Sequence, residues 1–220
     1  MIQRLIFGAG AHGRVVADIL NSCRIPLDGY LDDDSCLWGK DIDGTNVLGG
    51  LSNTLLELDY SSAQLHVALG KPHLRLHLAK RIQEYGFKLF NAIHSSAIKS
   101  ESIVLGSGVC ICAGVVINPH AVIGDAVIIN TGATIDHDCV VGDGVNISPG
   151  VHLAGRVYVG EQSFISIGVN VAPRITIGAN SILGAGSVVV NDIPSGVLAY
   201  GVPAKVIKKL DETYDWSKLL

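Results

Sequence analysis

Charge and aromatic residues are both scarce in this chain. Only 16% of its 220 residues are charged, and the formal net charge is −4. No basic surplus exists to hold nucleic acid or an anionic membrane by bulk electrostatics. Aromatic residues make up only 5%, but hydrophobic content is 48%, so burying a core is not the difficulty. No apolar run approaches the roughly 20 residues that cross a bilayer. The start, Met1 to Phe7, lacks the apolar region and cleavage site of a signal peptide. Disulfide-framework spacing is missing too. Cys23, Cys36, Cys110, Cys112 and Cys139 are an odd set, which suits reduced thiols and a cytoplasmic location.

What the chain does contain is a repeat. From Leu105 to Val189 every sixth residue is a branched aliphatic, fifteen in succession: Leu105, Ile111, Ile117, Ile123 and so on through Ile135, Ile147 and Leu183. Six residues are 1.67 turns of an α-helix, which would scatter the column around the axis. The period matches a hexapeptide β-helix, where each short strand and its corner form one side of a coil. A second column four places later, from Val109 through Cys139 to Ile193, holds small or β-branched residues suited to a tight corner. The place directly after each aliphatic is mostly Gly, Asn, Asp, Ser or Ala, which suits turn and left-handed geometry. Three hexapeptides close one coil, so the column implies about five coils, and a solenoid needs capped ends.

The first 90 residues read differently, as strands alternating with helices around a parallel sheet. Ile2–Phe7, Leu27–Leu31 and Gln64–Leu69 read as strands. Arg14–Ser22 and Pro72–Tyr85 read as helices, the latter through Leu74, Leu78 and Ile82. The expected division is 1–90 for an α/β half-Rossmann domain, 91–193 for the β-helix, and 194–220 for a tail with a short helix near Val206–Leu210. Gly8-Ala9-Gly10-Ala11-His12-Gly13, with Asp32 near the end of the next strand, satisfies a dinucleotide pattern. About 90 residues make only half a dinucleotide fold, and a phosphate on a helix N-terminus needs only the glycine turn. NAD, a nucleotide-sugar diphosphate, and a turn kept for packing alone therefore all remain open.

Counted from Ile135, His137 occupies a variable corner position, so its side chain should face outward, between Asp136 and Asp138. Such an imidazole would gain basicity from its acidic neighbours. Adjacent residues of a strand point apart, so contact between His137 and Asp138 requires a corner. Cys110, Cys112, Cys139, His120, His137 and His152 show no structural-zinc spacing, and Cys139 falls in the small-residue column, so no metal is expected.

The repeats, Gly201-Val202-Pro203-Ala204-Lys205 and the front glycine turn together resemble hexapeptide-repeat acetyltransferases with left-handed β-helices, usually trimeric. Over about 210 residues the chain resembles the subfamily that acetylates nucleotide-linked 4-amino sugars, as in UDP-N,N′-diacetylbacillosamine and GDP-N-acetylperosamine synthesis. The resemblance implies acetyl-CoA as co-substrate and a homotrimer. It implies His137 as general base, with Asp138 increasing its basicity and Asn130 in the active site. Gly10, Ala11, His12, Asp32, Asp33 and Gly70 would contact the nucleotide sugar, a UDP-sugar being favoured. Asn146, Ile167 and Ala185 would line the acetyl-CoA groove, where Gly155 and Gly184 would allow close approach. Lys208 and Lys209, with the segment from Gly201 to Lys205, would meet the CoA phosphates or form a solvated basic tail. The alternatives are O-acetylation of a sialic acid or other sugar hydroxyl, and a non-catalytic nucleotide-binding solenoid.

Overall fold

The structure, a computed structural model, describes residues 2–211. Its first unit is a six-stranded sheet in the order β3-β4-β2-β1-β5-β6. The strands are β1 (Gln3–Phe7), β2 (Gly29–Leu31), β3 (Asp41–Ile42), β4 (Thr45–Gly49), β5 (Ala63–Val67) and β6 (Lys88–Leu89). All neighbours are parallel except the hairpin β3–β4. Helices α1 (Ala11–Ser22), α2 (Leu51–Glu57) and α3 (Pro72–Glu84) cover it. Both faces of β1 are buried: Leu5 and Phe7 pack with α3, and Ile6 packs with α1. This is the usual reason for a continuous apolar run in a parallel strand.

The hairpin β3–β4 and α2 lie between the expected strands. Helix α1 begins at Ala11, three residues earlier than the pattern suggests. On α3 Leu78 and Ile82 are buried, but Leu74 is exposed, and Arg75, Leu76 and Ala79 face the core instead.

From Ala92 to Val189, 17 strands of two residues stack in three parallel sheets, a β-helix of the left-handed kind expected. Partners are 18 residues apart, as in Val122↔Val140 and Thr134↔His152. The aliphatic column points inward: Ile111 to Val189 is buried throughout, and only Leu105, near the open end, is half-buried. Each such side chain contributes about 1.5–3 kcal/mol by leaving water. The second column is buried as well. Where it holds Ser163, Ser181 and Ser187, the hydroxyls donate to backbone carbonyls, so no polar group is stranded.

The left-handed residue of each repeat stands three places after the aliphatic, not directly after it. Gly108, Gly114, His120, Ala126, Gly132, Asp138 and their successors to Gly186 all have φ between 51° and 69°. The glycine that directly follows an aliphatic has a different cause. A Cβ on Gly124 or Gly160 would lie 2.4 Å from atoms of the next coil, so these glycines permit coil-to-coil approach.

The sheet containing Ala92, Cys110 and Ile128 packs its outer side chains against α1, and Ala126 joins the core under α3. The last coil is closed by Val197–Gly201, paired parallel to Ile182–Leu183, and then by Ala204–Lys209, paired antiparallel to it. A strand therefore replaces the helix expected near Val206–Leu210. Alternate pairing to a sheet edge satisfies these backbone groups better than an isolated turn of helix. The rest of the expected tail lies outside the described residues. Among those described, no helix is long and apolar enough to cross a membrane.

Candidate active site

His137 sits on a corner whose stacked left-handed residues are His120, Asp138, Arg156 and Arg174. The corner is pinned from both sides: Asp138 N–H donates to Pro119 O at 3.1 Å, and Arg156 N–H donates to His137 O at 2.9 Å. Asp136 Oδ1 accepts from His137 N–H at 2.7 Å and from Asn118 Nδ2 at 2.8 Å.

The left-handed backbone of Asp138, φ 59°, returns its carboxylate toward its neighbour. Oδ2 lies 2.8 Å from His137 Nδ1 and 3.5 Å from Arg156 Nε. The short aspartate arm therefore spans the gap that a regular strand would not. The hydrogen bond from His137, with help from Arg156, holds the Asp138 carboxyl below its ordinary range. Asp136 is lowered in the same way, first by the His137 backbone amide. With Nδ1–H given to Asp138, the Nε2 lone pair is left to accept a proton. The imidazole is half exposed, with 50% of its side-chain surface accessible, so a substrate can reach it.

Gly155 lies against that ring. A Cβ there would stand 2.6 Å from Nε2 and 2.8 Å from Cε1 of His137. The glycine expected to admit acetyl-CoA thus makes room first for the imidazole. Beneath the corner, buried Cys139 donates its thiol to Ala154 O at 3.1 Å, and burial raises its pKa. Beside it runs a groove of about 350 Å³ lined by Asn118, Thr134, Asp136, His152 and Asn170.

A second cluster forms where the α/β unit meets the solenoid. A cavity of about 240 Å³ is lined by His12, Gly70, Asn130, Asn146, Ser148 and Phe164. Residues expected for substrate, catalysis and cofactor therefore share one cavity. Asn146 Nδ2 donates to Ser148 Oγ at 3.1 Å. His12 is held neutral, its pKa pulled down to about 3 by burial first, then by His66 and Arg75. Its Nε2 is buried with no hydrogen-bond partner among the described residues.

The glycine turn is tightly packed: Gly8 has φ 106°, and a Cβ on Gly13 would lie 2.0 Å from Gly8 O. Gly10 caps α1, and Ala11 borders a cleft of about 500 Å³ with Arg14 and Thr131. Asp32 accepts from Ala9 N–H at 2.9 Å and Asp33 from Leu51 N–H at 2.9 Å, so both brace the strand ends. Ile167 and Ala185 are exposed on the Asn130 side of the solenoid, above Thr131. His137 is not brought to this cluster within one chain. Asn130 and His137 flank opposite ends of the Thr134–Ile135 strand.

Sequence reasoning missed Arg156, Ser148, Phe164 and Arg75. The 18-residue spacing of Ile128, Asn146 and Phe164 was the available signal for the last coils' covered face, whereas nothing local marks Arg75.

A family model described as the PglD N-terminal domain matches residues 4–82, and one for the bacterial transferase hexapeptide (six repeats) matches residues 120–155. A crystal structure of PerB from Caulobacter crescentus, in complex with CoA and GDP-perosamine, is 43% identical with a TM-score of 0.88. That match covers 94% of this chain and 97% of the other. The acetyltransferase domain of PglB from Neisseria gonorrhoeae, solved with acetyl coenzyme A, is 35% identical with a TM-score of 0.88, over 94% of this chain and all of that one. A GDP-perosamine N-acetyltransferase of Escherichia coli O157:H7 is 32% identical over 118 residues, 51% of this chain. The chain spans about half the length of that curated relative, 52%. With likeness of sequence and fold along nearly its whole length, the chain belongs to the nucleotide-sugar N-acetyltransferases of the PglD and PerB type.

Proposed function

We propose that this protein uses acetyl-CoA to N-acetylate the 4-amino group of a nucleotide-linked 4-amino-4,6-dideoxysugar. The observation that carries the reading is the His137–Asp138 pair, with Nδ1 bonded to a carboxylate at 2.8 Å on an exposed corner. Amine attack on a thioester carbonyl needs a base for the amine's proton as the N–C bond forms, and the CoA thiolate then leaves. His137 Nε2 accepts that proton, and ionised Asp138 stabilises the imidazolium that results. Cys139, the cysteine beneath the His137 corner, is buried, and burial raises its thiol, so direct transfer in a ternary complex is the route.

Gly70 and His12 would bind the nucleotide sugar, with Gly10, Ala11, Asp32 and Asp33 shaping the strand ends around it. Because His137 stands apart from this cluster, the site is complete only when a neighbouring copy supplies the other half, as a homotrimer would. Val104, Val122, Val140 and Tyr158 form an exposed apolar stripe on one solenoid face that such packing would cover. Asn146, Ile167, Ala185 and Gly184 would follow the acetyl-CoA. That donor is a cytoplasmic metabolite, which supports a reaction in the cytoplasm.

The relatives named for GDP-perosamine favour a GDP-sugar, whereas the resemblance to bacillosamine-type enzymes favours a UDP-sugar. Steady-state acetylation of GDP-, UDP- and dTDP-4-amino-4,6-dideoxysugars decides between them. His137→Ala should lose about 10²–10⁴-fold in kcat on the preferred substrate. Unchanged turnover would sink the base assignment. An ester product, cleaved by alkaline hydroxylamine, would move the activity to a sugar hydroxyl.

A further inference from the structure

We propose that Arg75 is a positioning residue for the nucleotide sugar, fixing the loop at Leu69–Gly70 against the solenoid; this rests on the substrate reading above. Arg75 lies on α3 with 1% of its surface exposed. Its Nε donates to Ala126 O at 2.8 Å, and its Nη2 donates to Gly144 O at 2.8 Å and Val145 O at 3.3 Å. Its Nη1 donates to Leu69 O at 2.7 Å and Gly70 O at 3.1 Å. All five acceptors are backbone carbonyls, and none is a carboxylate. A buried cation without a counter-charge is costly unless dipoles replace its hydration, and here the whole planar fork is matched. Burial lowers its pKa to about 9, which leaves it charged at neutral pH.

Its acceptors border the substrate cavity on two sides. Gly70 lines the cavity from the α/β unit, and Val145 precedes Asn146, which lines it from the solenoid. Ala126 and Gly144 occupy stacked corners of successive coils, so the guanidinium grips two coils and the loop together. A salt bridge would neutralise the charge but bond one wall only. Five carbonyls on three segments instead set the distance between the walls. His137 lies on another corner, so its own bond to Asp138 does not depend on this distance.

The test is Arg75→Lys and Arg75→Met, with steady-state kinetics on both substrates and calorimetry of GDP and UDP binding. Lysine keeps the charge but concentrates its donors at one point and cannot bridge the walls. Arg75→Lys should raise KM for the nucleotide sugar about tenfold, with smaller changes, within about threefold, in kcat and in KM for acetyl-CoA, the pattern of mainly lost substrate binding. Nucleoside diphosphate affinity should fall by a similar factor. Arg75→Met should show a larger shift in the same parameter. An unchanged nucleotide-sugar KM, or a common loss in kcat and both KM values, overturns the proposal. So does an Arg75→Lys chain that fails to fold, since Arg75 would then serve folding rather than substrate placement. If the wild type binds GDP or UDP without turnover, the acetyltransferase reading fails and the affinity ratio still decides Arg75. If it does neither, both fail.

Discussion

Gly155→Ala should slow catalysis by displacing the base without disturbing the coil. Gly155 is outside the left-handed region, so alanine can adopt its backbone conformation, and the cost is steric. The new Cβ would stand 2.6 Å from His137 Nε2, whereas ordinary contact begins near 3.4 Å. The imidazole must retreat by about 0.8 Å, and Asp138, held by its own backbone bond to Pro119 O, cannot follow freely. Misplacing a reacting group by about 1 Å costs on the order of 10²-fold, or about 2.7 kcal/mol of barrier. The assay is kcat at saturating acetyl-CoA and nucleotide sugar, for Gly155→Ala alone and combined with His137→Ala. Since the glycine acts through the ring, the combined variant should be no slower than His137→Ala to within about threefold, a strongly non-additive pair. Unchanged kcat in the single variant would refute the steric reasoning. An equal further loss without the imidazole would show that Gly155 acts by another route.

Asp138→Asn should keep the corner, because asparagine tolerates φ 59°, yet lose the charge opposite the imidazolium, lowering kcat about tenfold; a steady-state rate equal to wild type would remove Asp138 from the mechanism. Acid should destabilise the fold through His12 and His66, whose pKa values burial lowers to about 3 and about 4 from an ordinary 6.5. The unfolded chain binds those protons first, so stability is full above about pH 6.5 and declines below it, by about 5 kcal/mol for the pair near pH 4.5. Urea unfolding at fixed protein concentration would show this, and His66→Gln should remove about half of the loss; a flat pH response would contradict the burial argument. Ile147→Ala, in the fully buried column, should cost about 2–5 kcal/mol by the same measurement without altering KM for either substrate.

The solenoid was legible because its stabilising contacts repeat every six residues, so each hexapeptide states the same rule of aliphatic inside and small residue at the corner. The register also put His137 on an outer corner. The glycine turn was legible for a similar reason, since Gly8 and Gly13 answer a purely local backbone demand. Where side-chain spacing misled, a longer-range partner intervened. Leu74 has the right spacing on α3, but buried Arg75 is the residue turned to the solenoid. The tail was expected as a helix, and the edge strand Ile182–Leu183 drew the chain into a sheet instead.

By itself, then, the sequence determined the coil, its core and the exposed place of His137, because those depend on neighbours no more than a coil away. Tertiary structure alone decided that Asp138 reaches His137 at 2.8 Å, since that contact depends on a left-handed backbone which the sequence does not demand of an aspartate. It also decided that His12, Gly70, Asn130 and Asn146 share a cavity while His137 stands apart, and that Arg75 ties the cavity's two walls. Those arrangements join segments up to 134 residues apart in sequence, from His12 to Asn146, through packing that no local period records.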